Sequence, residues 1–421
     1  MGFTSAAPRA GSVRRPIQLC ASLLATALLC AQGAHAEDAP SFAELIGGAS
    51  NAPSQVQSAA DLAAAKGRLT QAGVWANPEV EIALDGYGNN NPRIADQKET
   101  TLSVAQTLSL GGKREARVAA AQAEVEAAQA RLKLSRTDFA AKLAQSYAEA
   151  EAASRRVRIA GDGLAAAETD ARAAHLLVDA GREAQLRALQ GDAEVERARA
   201  EVAAAQAAET TAFARLSALI GAERPYDRIV VSLLDAPLSA PAMADGAASA
   251  AVEAARADQA AAEARVKSAR AEAFPDVKVS AGVRRYDNLG GSALVAGVSL
   301  PLPLFDRNRG GVAAARAELT GAEAKLRQTE LDLAADRRAA QGDATSADAQ
   351  LAAALAGEKA SAEAYRLARI GYQAGRVPLL EVAAARRAFV DAQSRTVDAR
   401  LARVKAQAEL ARLDGRIPFG S

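Results

Sequence analysis

The sequence predicts a mainly α protein with a smaller β portion, built as a tandem repeat of one αββα unit. Three observations predict it. Between Gly112 and about Val178 there is no proline, and larger apolar residues fall at Val118, Val125, Leu132 and Phe139, one every seven residues. A seven-residue apolar period keeps one stripe of a helix facing a partner, which is the seam of a coiled coil. The same seam returns 194 positions later at Val312, Leu319, Leu326 and Leu333. Ahead of each long helix the apolar period drops to two, the signature of strands.

The first long helix sets the scale. Alanine or serine follows its first three seam residues by three places, at Ala121, Ala128 and Ser135. Alanine has the best helix propensity and lets helices approach closely. As one helix the stretch is roughly 100 Å long, about three times the ~30 Å hydrocarbon core of a bilayer. It is too polar to lie inside one. The offset of 194 also carries Ala180-Gly181-Arg182 onto Ala374-Gly375-Arg376, and Leu216, Leu219 and Gly221 onto Leu410, Leu413 and Gly415. One offset held without a gap over about a hundred residues marks a duplicated structural unit rather than biased composition.

In chain order, residues 1–36 read as an export signal. Arg9, Arg14 and Arg15 precede the apolar run Ile17–Leu29, and Ala34-His35-Ala36 supplies the cleavage site. Both cysteines, Cys20 and Cys30, precede that site, so the processed chain is expected to carry no disulfide. The rival reading, lipidation at Cys30, is disfavoured by the bulky Leu29 before it. The first repeat is expected over 37–221. Loosely ordered chain to Asn51 leads to a helix over about 54–73, stopped by Asn77-Pro78. Strands are expected at about 79–86 and 100–110. Val80, Ile82 and Leu84 alternate with Glu79, Glu81 and Asp85, and Leu102, Val104, Leu108 and Leu110 alternate with polar or small residues. That alternation suits a membrane barrel strand; one such hairpin taken alone is better read as lying on a soluble core, and the second copy shifts the balance toward the barrel. A long helix over about 112–178, a turn, and a return helix over about 183–220 complete the unit.

A proline-richer connector, 222–246, holds the apolar run Ile229–Leu234 and is expected to contain a short extended or helical element. The second repeat spans 247–415. Its strands fall at about 276–285 and 292–302, its long helix at about 309–372 and its return helix at about 378–413, followed by a short tail, 416–421. Here the strand offset is 197, so the second hairpin region is three residues shorter. A length change in a loop is what an exposed tip tolerates. Each long helix ends at a glycine, Gly181 or Gly375, suited to a left-handed C-cap and a tight reversal.

Composition removes several classes of function. With 51 basic and 50 acidic side chains among 421 residues, net charge is +1, which argues against a nucleic-acid partner. Beyond the leader there is one histidine, His175, and one methionine, Met243. A zinc or copper site needs several such ligands, so no metal or cofactor is expected. Leu110-Gly-Gly-Lys-Arg lacks the spacing and the Ser/Thr of a phosphate-binding loop. With no catalytic constellation, no enzyme is predicted, and energy for any transport must come from a partner.

Four barrel-like strands cannot close a barrel, and an open edge in lipid leaves unpaired backbone groups at several kcal/mol each. Membrane barrels need about eight strands or more. Several chains must therefore share one barrel; three would supply twelve strands and a pore, continued by a hollow cylinder of helices. The competing assignment is a periplasmic coiled-coil adaptor or scaffold, which needs only one helical hairpin in a small β-rich module. Two hairpins and two strand pairs favour the duct.

The residues also carry a resemblance. The duplicated layout resembles the TolC family of trimeric outer-membrane efflux channels, and nearly all of the processed chain takes part. Gln106-Thr107-Leu108-Ser109-Leu110-Gly111-Gly112-Lys113-Arg114 and Pro301-Leu302-Pro303-Leu304-Phe305-Asp306-Arg307-Asn308-Arg309-Gly310-Gly311 are similar to segments of its heavy-metal (CzcC-like) branch. Gly371 to Val382 resembles the family's periplasmic tip. The resemblance implies a homotrimer in the outer membrane of a Gram-negative bacterium, with a shared twelve-stranded β-barrel in lipid and an α-barrel in the periplasm. It implies a periplasmic adaptor docked at Gly181, Arg182, Gly375 and Arg376, an inner-membrane RND-type pump, and heavy-metal cations as cargo. It also implies an acidic gate at the tip, for which Glu381 is the candidate. The position of a second gating aspartate is Ala384, a departure that weakens the case for a double carboxylate ring. A solvated helix-surface glutamate is the plainer reading of Glu381, and capping of the preceding helix is the plainer reading of Arg182 and Arg376.

Overall fold

The computed structural model describes residues 37–87, 98–236, 249–287 and 290–419. The expected signal peptide, most of the first hairpin loop, the later part of the connector and the last two residues lie outside the described residues. In order, the elements are β1 (Glu37–Ala39), α1 (Phe42–Gly47), α2 (Pro53–Ala72), β2 (Glu79–Asp85), β3 (Glu99–Leu108), α3 (Lys113–Asp179), α4 (Gln185–Ile220), β4 (Tyr226–Ile229), α5 (Ala250–Ala271), β5 (Val277–Tyr286), β6 (Gly291–Ser299), α6 (Arg309–Gln373) and α7 (Leu379–Leu413). The 67-residue α3 and 65-residue α6 are each about 100 Å long.

The strand pairs of the two repeats join. They form one antiparallel sheet in the order β2-β3-β5-β6, with β3 of the first repeat hydrogen-bonded along its length to β5 of the second. Ile82, Leu102, Val283 and Leu294 stand in one row across all four strands. All four are exposed, Leu294 by 88%, as are Val80, Val104, Val279 and Val298 on the same face. Ion pairs cross the opposite face, Lys278 to Glu79 at 2.6 Å and Arg284 to Glu99 at 3.0 Å. On that face Gly282 has no room for a side chain, since a Cβ would come within 2.7 Å of Ser103 Cβ. The outer edges of β2 and β6 have no strand partner among the described residues.

Each corner from strand to long helix needs a left-handed residue, and the two repeats solve it differently. In the first, Gly111 and Gly112 both have positive φ, and a Cβ on Gly111 would lie 2.5 Å from the Phe274 ring. In the second, Asn308 takes the left-handed conformation (φ 51°), a region Asn tolerates better than most residues. Its side-chain amide donates to the Ala269 carbonyl at 2.8 Å.

Helix α3 packs against α2, α4, α5 and α7, whereas α6 packs against α5 and α7. Of the α6 residues only Ala315, Ala340 and Ala347 are buried. The apolar core sits midway along the helices, where Phe139, Leu143 and Tyr147 of α3 meet Phe42, Phe213, Leu216, Leu233, Leu234 and Val404.

The structure departs from the sequence reading in two places, the first of them ordered by this core. Residues 37–51 are expected to be loosely ordered, but β1 pairs in parallel with β4, and Phe42 of α1 meets Tyr147 and Phe419 edge-on at 6.2 and 6.0 Å. Such short segments carry no periodicity; tertiary contacts order them. The second strand of the second hairpin ends at Ser299, so Leu300 and Leu302 lie beyond it. Pro301 and Pro303, which have no N–H to give a ladder, account for the early end.

The connector is tied to both repeats. Tyr147 Oη donates to the Val231 carbonyl at 2.7 Å, and the buried Glu151 carboxylate accepts the Leu233 and Leu234 N–H groups at 2.8 and 3.0 Å. Asp235 bonds Arg155 of α3 and Arg400 of α7, the latter at 2.7 Å. The Arg155 side chain holds the Asp235 carboxyl below its ordinary value, against the effect of burial.

Candidate functional site: an open sheet and two bare helical tips

The far ends of the long helices close by the same device. Gly181 and Gly375 have φ of 68° and 69°. At the first tip, the Gly181 N–H donates to the Val178 carbonyl and the Arg182 N–H to the Leu177 carbonyl, both at 2.9 Å. At the second, Gly375 donates to Tyr372 at 2.9 Å and Arg376 to Gly371 at 2.8 Å. These bonds form the paired C-cap of a helix ended by left-handed glycine. The capping expected of Arg182 and Arg376 is thus done by their backbone, not their guanidinium groups. Both side chains are exposed and make no ion pair or hydrogen bond among the described residues. A Cβ on either glycine would meet open space. The tips are accordingly bare, with two unpaired arginines.

Glu381 lies in the first turn of α7, after Pro378 at its N-cap. Acidic residues are favourable there on helix-dipole grounds alone. Its side chain is exposed and unpartnered among the described residues, consistent with the plainer surface reading and equally free to face an axis.

A buried polar contact nearby escaped the sequence reading. Arg386 of α7, 5% exposed, donates to Asp170 of α3 and to the Gly163 carbonyl, each at 3.1 Å. Burial pushes the Asp170 carboxyl above its ordinary value, with Arg386 and then Arg369 pulling the other way. Tyr372 is raised by burial and by the charges of Glu183 and Asp170. Arg386 and Asp170 are 216 residues apart, and each alone looks like one more charge on a charged helix. His175 pairs with Asp192 at 2.9 Å on the surface. No group of three or more His, Cys, Asp or Glu among the described residues could hold a metal ion. No described helix is long and apolar enough to cross a membrane.

An oily face on a sheet with two open edges, continued by paired rods with bare ends, defines a wall segment of a membrane conduit. The chain belongs to the outer membrane efflux protein family, whose sequence pattern matches residues 49–222 and again 247–416, once per repeat. It is 41% identical to the nickel-cobalt-cadmium resistance protein NccC of Alcaligenes xylosoxydans xylosoxydans, covering 93% of this chain and 90% of that one. It is 44% identical to the nickel and cobalt resistance protein CnrC of Cupriavidus metallidurans, covering 91% and 93%. Its fold is similar to that of the Campylobacter jejuni CmeC outer membrane channel, with a TM-score of 0.76 at 14% identity, covering 90% of this chain and 87% of that one. The family match and the fold favour the duct over the adaptor or scaffold.

Proposed function

We propose that three copies pool their sheets into a twelve-stranded barrel in the outer membrane. The duct continues through a periplasmic cylinder of helices, as the passive exit of a tripartite efflux system. The observation that carries this is the sheet itself: an apolar row runs unbroken across all four strands, and both edges lack strand partners among the described residues. In lipid such edges are tolerated only when another strand closes them. The relatives' resistance to nickel, cobalt and cadmium supports heavy-metal cations as cargo. The sequence offers neither a phosphate-binding loop nor a catalytic constellation to drive export, so an inner-membrane RND-type pump supplies the energy. The unpaired Arg182 and Arg376 beside Gly181 and Gly375 offer cationic contacts to a periplasmic adaptor, and three copies of Glu381 narrow the tip as a carboxylate gate. Rings of carboxylates attract cations and repel one another, which suits a switchable constriction. The test is extraction from purified outer membranes, followed by mass measurement and planar-bilayer recording. A three-chain complex that conducts ions is expected; a monomer, or a complex that conducts nothing in any state, would contradict the proposal.

A further inference from the structure

The duplication supplies a template for the seam between neighbouring chains. Within one chain, α5 of the second repeat lies on α3 of the first, and their contact carries a four-charge network. Arg131 of α3 donates to Asp258 of α5 at 2.9 Å and lies 3.2 Å from Glu124, which also pairs with Arg265 of α5. The offsets read from the sequence carry this network elsewhere. Adding 194 takes Glu124 and Arg131 to Glu318 and Lys325 on α6; subtracting 197 takes Asp258 and Arg265 to Asp61 and Arg68 on α2. All four charge signs are retained.

Within the single chain the copied network is split. Asp61, Arg68 and Glu318 are exposed and without a partner among the described residues, and Lys325 reaches only Asp258, at 3.9 Å. Neighbouring positions on the same helices behave the same way. Ala254 and Ala261 of α5 are buried, while their counterparts Gln57 and Ala64 of α2 are exposed. Ala127 of α3 is 0% exposed, while at its counterpart Gly321 an added Cβ would meet nothing within 4 Å. One face of α6 and one face of α2 are therefore uncovered copies of a contact that is covered between α3 and α5.

We infer that α2 of a second copy of this chain docks on α6 as α5 docks on α3, pairing Lys325 with Asp61 and Glu318 with Arg68 across the seam. The inference rests on the proposed assembly and assigns its helical interface. The order it requires, with α6 beside the next chain's α2, is also the order that brings β6 to the next chain's β2, so sheet and helices close together.

The test is cysteine cross-linking of the full chain in outer membranes. The doubly substituted Glu318→Cys, Arg68→Cys protein is treated with the shortest thiol cross-linker that joins Glu124→Cys to Arg265→Cys within one chain. Covalent oligomers up to the full ring are expected, with none from either single variant. If the wild-type complex has several chains and the internal pair closes, absence of inter-chain links would overturn the seam and leave the duct standing. A protein recovered as single chains would remove both. In a second arm, Glu318→Arg is expected to weaken assembly roughly three- to tenfold, and adding Arg68→Glu to restore it. No loss in the single variant, or no recovery in the double, would also contradict the pairing.

Discussion

Replacing Arg386 with methionine should loosen the far third of the helical assembly while leaving its middle intact. The side chain bridges α3 and α7, and methionine keeps most of its volume, so the change is largely electrostatic. It strands the Asp170 carboxylate and leaves the Gly163 carbonyl without that donor. Removing one partner of a buried ion pair typically costs ~3–5 kcal/mol. Asp170 is 22% exposed and also feels Arg369, so water and that second cation offset part of the loss. We expect about 2–3 kcal/mol, which is a roughly 30- to 160-fold increase in local opening. Hydrogen exchange reads this directly in peptides covering residues 160–174 and 382–392. The core around Tyr147 and Leu216 should keep its protection, because none of its contacts involves Arg386. Asp170→Asn should cost less, since Arg386 keeps its bond to Gly163 and the desolvated carboxylate is gone. Unchanged exchange near the tip, or an equal loss along the whole of α3, would mean that Arg386 does not hold this part of the helices together.

Three further outcomes follow from the same structure. Gly375→Ala should destabilise the second tip by about 1–2 kcal/mol through its positive φ alone, since the added methyl has space; an unchanged melting temperature and tip exchange would argue against a required left-handed residue. Asp235 has a lowered pKa in the folded protein, so it adds stability above the ordinary carboxylate value that is lost as pH falls through the lowered one. Asp235→Asn should therefore reduce stability at neutral pH and flatten its decline in acid, read by circular dichroism during acid titration; identical acid limbs would contradict this. Glu381→Ala should raise single-channel conductance or weaken block by cations, and unchanged recordings would return Glu381 to the helix surface.

What was readable in the sequence was what repeats. The seven-residue seam marks both long helices, with Val125 and Phe139 buried as expected and Val312, Leu319, Leu326 and Leu333 half-buried. Strict alternation marks the strands, because a period of two admits no other element. The order β2-β3-β5-β6 was not readable, since nothing in either hairpin says which strand of the other repeat it meets. Glu37–Asn51 was misread because a three-residue strand and a six-residue helix have no period; Phe42 is held by Tyr147 and Phe419, both more than a hundred residues away. The Arg386–Asp170 contact hid among many arginines and acids of which most are solvated. The tip glycines were readable from their position after a helix, whereas the roles of Arg182, Arg376 and Glu381 depend on partners that no single chain presents.

In the proposed duct one face of the sheet meets lipid and the other meets water inside a shared pore. Single cysteines at Leu102, Val104 and Val283 on one face, and at Ser103 and Ser280 on the other, can be probed in intact outer membranes with a charged, membrane-impermeant thiol reagent. Labelling is expected to alternate residue by residue, with Ser103 and Ser280 modified and the three apolar positions protected. Equal labelling of both faces would mean the strands lie in water, and the conduit would not exist.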